Sequence, residues 1–325
     1  MRVRDIMADK RLKIVFMGTP SIAVPLLSAV LDAGHYVVGV YTRPDGRAGR
    51  GRRLVVPEVK SFALERGLSV FQPASLRRDK DARRHLTGIA PDVIIVAAYG
   101  LLLPSEVLET PPLHCLNVHP SLLPRHRGPS PVATAILDGD VDTGVTVMRL
   151  DEGMDTGPIV AQRKTAISPE ETGEGLTSRL FEMGSKLLVE TLLPWARGEI
   201  RAQPQVDAQA TVTRRLFRED GEIDWDRPAE YTARQVRAYH PWPSSFTGWQ
   251  ERLLKILEAA AVGPDREAAV SPGHAVLLEE GRMGVGTGDG ILEIRRVQLE
   301  GRRPVSTTEF LAGHPDIVGS VLGPR

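Results

Sequence analysis

Cys115 is the single cysteine of this 325-residue chain, which excludes an internal disulfide framework and a cysteine-rich zinc site. Its flanks, Leu113 to Val118, have the apolar texture of a buried strand, so Cys115 reads as a small core residue and not as a nucleophile. No two or three of the eight histidines have the spacing of a metal site, and no metal is expected. The chain has no run of 18 or more uncharged apolar residues, and its first ten residues, MRVRDIMADK, lack the apolar centre of a secretory signal. Neither a membrane span nor export is therefore expected, and the cytoplasm is the expected compartment. Net charge is absent too: 41 basic residues balance 41 acidic ones, so any contact with nucleic acid must come from a local patch. No internal repeat or low-complexity tract occurs.

What is present is the composition of an ordinary globular chain, 42% hydrophobic and 25% charged, which argues against disorder. The length exceeds what one compact core usually spans, so two domains are expected. Apolar runs at Leu12 to Met17, Tyr36 to Tyr41, Asp92 to Ala98, Leu113 to His119 and Gly144 to Leu150 read as buried strands. Helical segments are expected at Pro20 to Leu31, Pro57 to Arg66 and Asp79 to Gly88. Strands apolar on both faces, alternating with helices, indicate an α/β domain with an open, doubly wound, mainly parallel sheet of Rossmann-like type.

A long helix closes that domain, with Leu176, Leu180, Met183, Leu187, Leu188 and Leu192 on one stripe. From Gly198 to Thr213 the chain turns polar and loses its apolar period, as an interdomain linker does. Beyond it, short runs separated by glycine-rich turns (Gly221 to Trp225, Leu253 to Leu257, Ala275 to Leu278, Gly284 to Gly290, Ile291 to Val297) and one helix near Glu230 to Tyr239 suggest a smaller, OB-like β-barrel. The expected division is a first domain over 11–197, a linker over 198–213 and a second domain over 214–325.

Two glycine-rich segments carry little nucleotide signal. Gly18-Thr19-Pro20 follows the first strand but lacks the spaced glycines of a dinucleotide loop. Gly284 to Gly290 precedes a strand, as a hairpin does.

The informative segment is Asn117-Val118-His119-Pro120-Ser121-Leu122-Leu123-Pro124. Residues two apart on a strand project to one side, so Asn117 and His119 share a face. Pro120 then ends the ladder at the carboxyl edge of the sheet, where open α/β folds bind ligands. Taken alone, such a pair also serves to satisfy loop backbone. A second polar element, Asp151-Glu152-Gly153-Met154-Asp155-Thr156-Gly157, follows the strand Gly144 to Leu150. If the two strands are neighbours, Asp155 reaches the same edge as His119. An amide, an imidazole and a carboxylate there fit acyl transfer without a protein nucleophile. One basic patch stands out: Arg43 to Arg53 reads RPDGRAGRGRR, with Arg43, Arg47, Arg50, Arg52 and Arg53 against one aspartate.

Asn117-Val118-His119 followed by Ser121 to Pro124, together with GVTVMRLDEGMDTGPIV over Gly144 to Val160, resembles the formyltransferases that use 10-formyltetrahydrofolate. Within them, the opening LKIVFMGTP, the loop PDGRAGRGRRL, and DGEIDW with HPWP downstream resemble the enzymes acting on methionyl-tRNA. The loop carries Gly46-Arg47 where that pattern leads one to expect a bulkier residue and proline, which raises its charge.

The resemblance implies catalytic roles for Asn117, His119 and Asp155. It places the folate co-substrate along Ser121, Leu122, Leu123 and Pro124 and the facing loop Gly100 to Pro104, with Leu102 at its centre. Its implied partners are a reduced folate and charged initiator methionyl-tRNA, the latter gripped by the arginine loop, with no metal and no membrane. Competing readings are formylation of an amino sugar on a nucleotide carrier, a purine-pathway formyltransferase, and a nucleic-acid-binding protein with an inert α/β domain. A plain solvated loop is the bland reading of the arginines, and core packing that of Leu122 and Leu123.

Overall fold

The computed structural model describes residues 11–48, 53–262 and 270–324, which fall into two compact units. The first holds the chain up to Gly128, Asp142–Ala166 and Thr177–Thr213; the second holds Pro129–Val141, Ile167–Leu176 and the chain from Arg214 onward.

The strands of the first unit are β1 (Lys13–Gly18), β2 (Tyr36–Tyr41), β3 (Gly46–Ala48), β4 (Arg53–Val55), β5 (Val70–Phe71), β6 (Val93–Ala97), β7 (Cys115–His119), β8 (Asp142–Arg149) and β9 (Ile159–Ala166). Seven of them form one sheet in the order β5-β2-β1-β6-β7-β8-β9, and β3 and β4 pair as a separate hairpin. β5, β2, β1, β6 and β7 run parallel, as expected of strands with apolar residues on both faces. β8 and β9 are antiparallel additions at one end.

Both faces are covered. Along β1, Ile14 and Phe16 enter one apolar cluster with Leu26, Leu27, Leu188 and Leu192, whereas Val15 and Met17 enter another with Tyr41, Ile94 and Cys115. That alternation is the strand period of two read out as two cores. Helices Val24–Asp32 and Glu58–Glu65 bury Leu26, Leu27, Val30, Val59 and Ala63 on the first face. Helix Lys80–Ile89 starts where the Asp79 carboxylate accepts the Ala82 N–H at 2.9 Å, and it buries Leu86 on the second face. Helix Gly173–Ala196 realises the leucine stripe.

In the second unit, β10 (Ser245–Trp249), β11 (Arg252–Val262), β12 (Ala275–Leu277), β13 (Met283–Gly286), β14 (Ile291–Leu299) and β15 (Val305–Ser306) form an antiparallel sheet ordered β10-β11-β14-β13-β12, with β15 on β14. Bridges from Gly323 to Gly248 and from Val321 to His274 run the C-terminal segment between its two open edges, completing a barrel-like wall. The glycine-rich stretch before Ile291 is the β13–β14 hairpin expected from sequence. Helix Ala229–Ala238 places Ala233 and Val236 on a core of Trp225, Leu254, Ile256, Met283, Leu292 and Ile294.

Candidate active site

Because β1, β2, β6 and β7 are parallel, Gly18, Tyr41, Ala97 and His119 all end at one edge of the sheet. Strand order reverses between β1 and β6, the point where open α/β sheets form a crevice. On β7, Leu116 and Val118 face one core while Cys115 joins the other; Asn117 and His119 alternate to the Cys115 side. Burial pushes the Cys115 thiol up to about 12, and its Sγ lies 3.6 Å from the Val107 carbonyl, so it is a core residue.

His119 is 5% exposed. Its Nε2 lies 3.0 Å from the carbonyl oxygen of His126. A carbonyl only accepts, so Nε2 carries the hydrogen and donates it. Nδ1 is then the nitrogen facing Asp155, at 3.6 Å from Oδ2. This is beyond a direct hydrogen bond but within ion-pair range for a protonated ring.

Asp155 belongs to the turn between β8 and β9, and its φ of 55° puts a non-glycine residue in the left-handed region. Several bonds hold it there. Oδ2 accepts the Gly128 N–H at 2.8 Å, and the Asp155 carbonyl accepts from Gln205 Nε2 at 2.8 Å. Asp151 closes the start of the turn, accepting from Gly153 N at 3.1 Å and Thr156 Oγ1 at 2.8 Å. Gly157 is required by close approach, since a Cβ there would lie 1.9 Å from the Arg149 carbonyl. Asn117 is half-buried between Val96 of β6 and Met148 of β8, and among the described residues no hydrogen bond engages its side chain. The three residues singled out from sequence thus reach one edge, two on β7 and one on the adjoining turn.

The residues expected along the folate are placed unevenly. Ser121 and Leu123 are buried; the Ser121 hydroxyl donates to the Arg125 carbonyl at 2.8 Å, and Leu123 is tied through N and O to Thr146 and Gln162. Leu122 packs over Gly144, and Pro124 is half-buried. Leu102 is 76% exposed on the loop after β6. That loop is tied to the Asp155 turn, since Ser105 Oγ donates to Glu152 Oε1 at 2.6 Å.

Of the arginines, Arg43 is exposed and lines a cleft of about 570 Å³ with Thr19, Glu58 and Leu101. At the base of its loop, Lys60 donates to both Asp45 oxygens at 2.8 Å; this bond, with a further one from Gln72, holds the Asp45 carboxyl below its ordinary range. Arg47 and Arg53 lie on the β3–β4 hairpin, with side chains outside the description; Arg50 and Arg52 lie outside the described residues.

Sequence reasoning missed Arg127, Gly128 and the segment Gln203 to Thr213. That segment hydrogen-bonds Ile159 through Gln203 and brackets Arg127 through Thr211 and Thr213. Its contacts are made by backbone and polar side chains, which leave no apolar period in the sequence. Among the described residues no group of three or more His, Cys, Asp or Glu is arranged to hold a metal ion, and no helix is long and apolar enough to cross a membrane.

Residues 12–192 match the family model described as formyl transferase, and residues 215–315 match that of the formyl transferase C-terminal domain. A methionyl-tRNA formyltransferase of Chloroflexus aggregans is 50% identical over 93% of this chain and 97% of its own. One from a Roseiflexus species is 49% identical over 93% and 92%. Among solved structures, HypX from Aquifex aeolicus in complex with tetrahydrofolic acid shares the fold with a TM-score of 0.63 at 19% identity, over 95% of this chain and 48% of that one.

Proposed function

The chain belongs to the formyl transferase family, and we propose that it moves a formyl group from 10-formyltetrahydrofolate to the α-amino group of charged initiator methionyl-tRNA. The observation that carries this reading is the convergence of Asn117, His119 and Asp155 at the carboxyl edge of the sheet, with Asp155 Oδ2 3.6 Å from His119 Nδ1. The likeness to methionyl-tRNA formyltransferases over 93% of the chain supports the choice of acceptor.

In the reaction the neutral amine attacks the formyl carbon and negative charge develops on the formyl oxygen. The Asn117 amide donates to that oxygen, a contribution of roughly 100- to 1000-fold in rate. His119 rests with Nε2–H on the His126 carbonyl and Nδ1 toward Asp155. With substrate bound, Nε2–H leaves that carbonyl to donate a second hydrogen bond to the formyl oxygen or to protonate the departing folate nitrogen, while Asp155 continues to face Nδ1. Asp155 accepts the proton released by the amine, directly or through water. An α-amine has a pKa of about 8, so near neutral pH an acceptor for its proton generates the nucleophile.

The folate lies against the loop Gly100 to Pro104, with Leu102 outermost and the Ser121 to Pro124 turn as a rigid border. Arg43, Arg47, Arg50, Arg52 and Arg53 grip tRNA phosphates, and the second domain, 214–325, adds tRNA contacts. A reduced folate and a charged tRNA put the reaction in the cytoplasm.

The test offers purified protein 10-formyltetrahydrofolate with charged or uncharged methionine tRNA. Formyl-methionine on the charged tRNA alone supports the reading; formylation of an amino sugar nucleotide in its place overturns it.

A further inference from the structure

We propose that Gln205 is a positioning residue for the transfer reaction, fixing the backbone of the Asp155 turn so that the carboxylate stays beside His119. The inference rests on the formyl-transfer reading above and adds a residue to that site.

The Gln205 amide makes three hydrogen bonds. Nε2 donates to the carbonyls of Asp155 at 2.8 Å and Gly157 at 2.7 Å, while Oε1 accepts from Arg127 Nε at 2.9 Å. Carbonyls only accept and Arg127 Nε only donates, so the network itself fixes which end of the amide is nitrogen. Arg127, 7% exposed, is steadied by Asp207, whose Oδ1 accepts from its Nη2 at 2.8 Å.

The next residue, Gly128, gives its N–H to the Asp155 carboxylate at 2.8 Å. The backbone and the side chain of Asp155 are therefore both referred to the pair Arg127-Gly128, one through Gln205 and the other directly. Gln205 is itself held by flanking bonds. Gln203 and Ile159 exchange hydrogen bonds of 2.7 and 2.8 Å, Arg127 N donates to Thr211 O at 2.9 Å, and Thr213 N donates to Arg127 O at 2.7 Å. Asp155 needs such support, because a non-glycine residue stays at a φ of 55° only where its surroundings over-determine it.

Gln205 touches no reacting atom in this arrangement. Its loss should let the carboxylate drift without emptying the site, and a displacement of the order of 1 Å costs up to about 100-fold in rate.

Two variants separate positioning from bulk. Gln205→Glu keeps the acceptor for Arg127 but sets an oxygen against the two carbonyls; Gln205→Met keeps the length and removes all three bonds. Each is expected to lower kcat for formyl transfer about 10- to 100-fold, with KM for tRNA and for folate within about 2-fold of wild type. Introduced into Asp155→Asn, which has no carboxylate to place, the same changes should cost less than about 3-fold more. Folding is followed in parallel by circular dichroism, so that either soluble variant suffices. A kcat within about 2-fold of wild type, or an equal loss in both backgrounds, would overturn the positioning role while leaving formyl transfer intact. A wild-type protein inactive toward charged tRNA would overturn the enzymatic reading and this inference with it.

Discussion

The Asp155 carboxylate accepts the backbone N–H of Gly128 at 2.8 Å, and this bond sets the direction in which the carboxylate faces His119. Gly128 has a φ of 104°, and a Cβ there would lie 2.7 Å from the Thr213 carbonyl. Gly128→Ala should therefore cost about 1–3 kcal/mol of strain and reduce kcat by at least about 10-fold. Thermal unfolding and steady-state kinetics measure the two effects, and a variant matching wild type in both would show that the turn accommodates a side chain.

Cys115 should behave as a core atom. With its thiol pushed up to about 12, the thiolate fraction at pH 8 is on the order of one in ten thousand. A chromogenic thiol reagent at pH 8 should leave the native protein unlabelled and react with one thiol per chain after denaturation. Rapid stoichiometric labelling of the native state would contradict the burial of β7.

The second unit carries a pH signature of its own. Arg214 grips Asp220 with bonds of 2.7 and 2.6 Å; that pairing, helped by the Phe217 N–H, holds the Asp220 carboxyl below its ordinary range. A depressed folded-state pKa stabilises above the unfolded value of about 3.9 and ceases to do so as pH falls through the folded value. Arg214→Ala should lower Tm slightly at pH 7, since the Arg214 side chain is 65% exposed and its charge is screened by solvent, and the gap to wild type should close in acid. A gap that stays constant from pH 7 down to pH 2 would remove the pair from the stability account.

Much of this was legible in the sequence because the relevant signals are local. The strand runs announce the sheet, and the spacing of Asn117 and His119 places them on one face whatever surrounds them. Strand direction is not local: Gly144 to Leu150 reads as one more buried strand, and only its pairing with β7 shows β8 to be antiparallel. The short β3–β4 hairpin and β5 have too few residues to display a period. Gln203 to Thr213 shows as a polar stretch, because its bonds go to Ile159, Arg127 and the Asp155 turn, partners that sequence spacing does not reveal. Ser121 and Leu123 show the same limit: the bonds that fix their turn, from the Ser121 hydroxyl to Arg125 and from the Leu123 backbone to Thr146 and Gln162, go to partners that sequence spacing does not reveal.

The arginine loop gives a salt-dependent prediction. Replacing Arg50, Arg52 and Arg53 by alanine removes up to three phosphate contacts, each worth roughly 0.7 to 0.9 in the slope of log affinity against log salt. KM for charged tRNA should rise and its salt dependence should flatten by about two units, with folate affinity nearly unchanged. An unaltered slope would take the loop out of tRNA binding.

The central claim is that Asn117 and His119 act on one developing oxyanion beside Asp155. The measurement is kcat for formyl transfer from 10-formyltetrahydrofolate to charged methionyl-tRNA in wild type, Asn117→Ala, His119→Ala and the double variant, with folding verified for each. Each single change is expected to cost at least about 100-fold, and the double variant should lose far less than the product of the two because the pair works as a unit. Single variants that retain wild-type kcat, or a double variant that loses the full product, would contradict it.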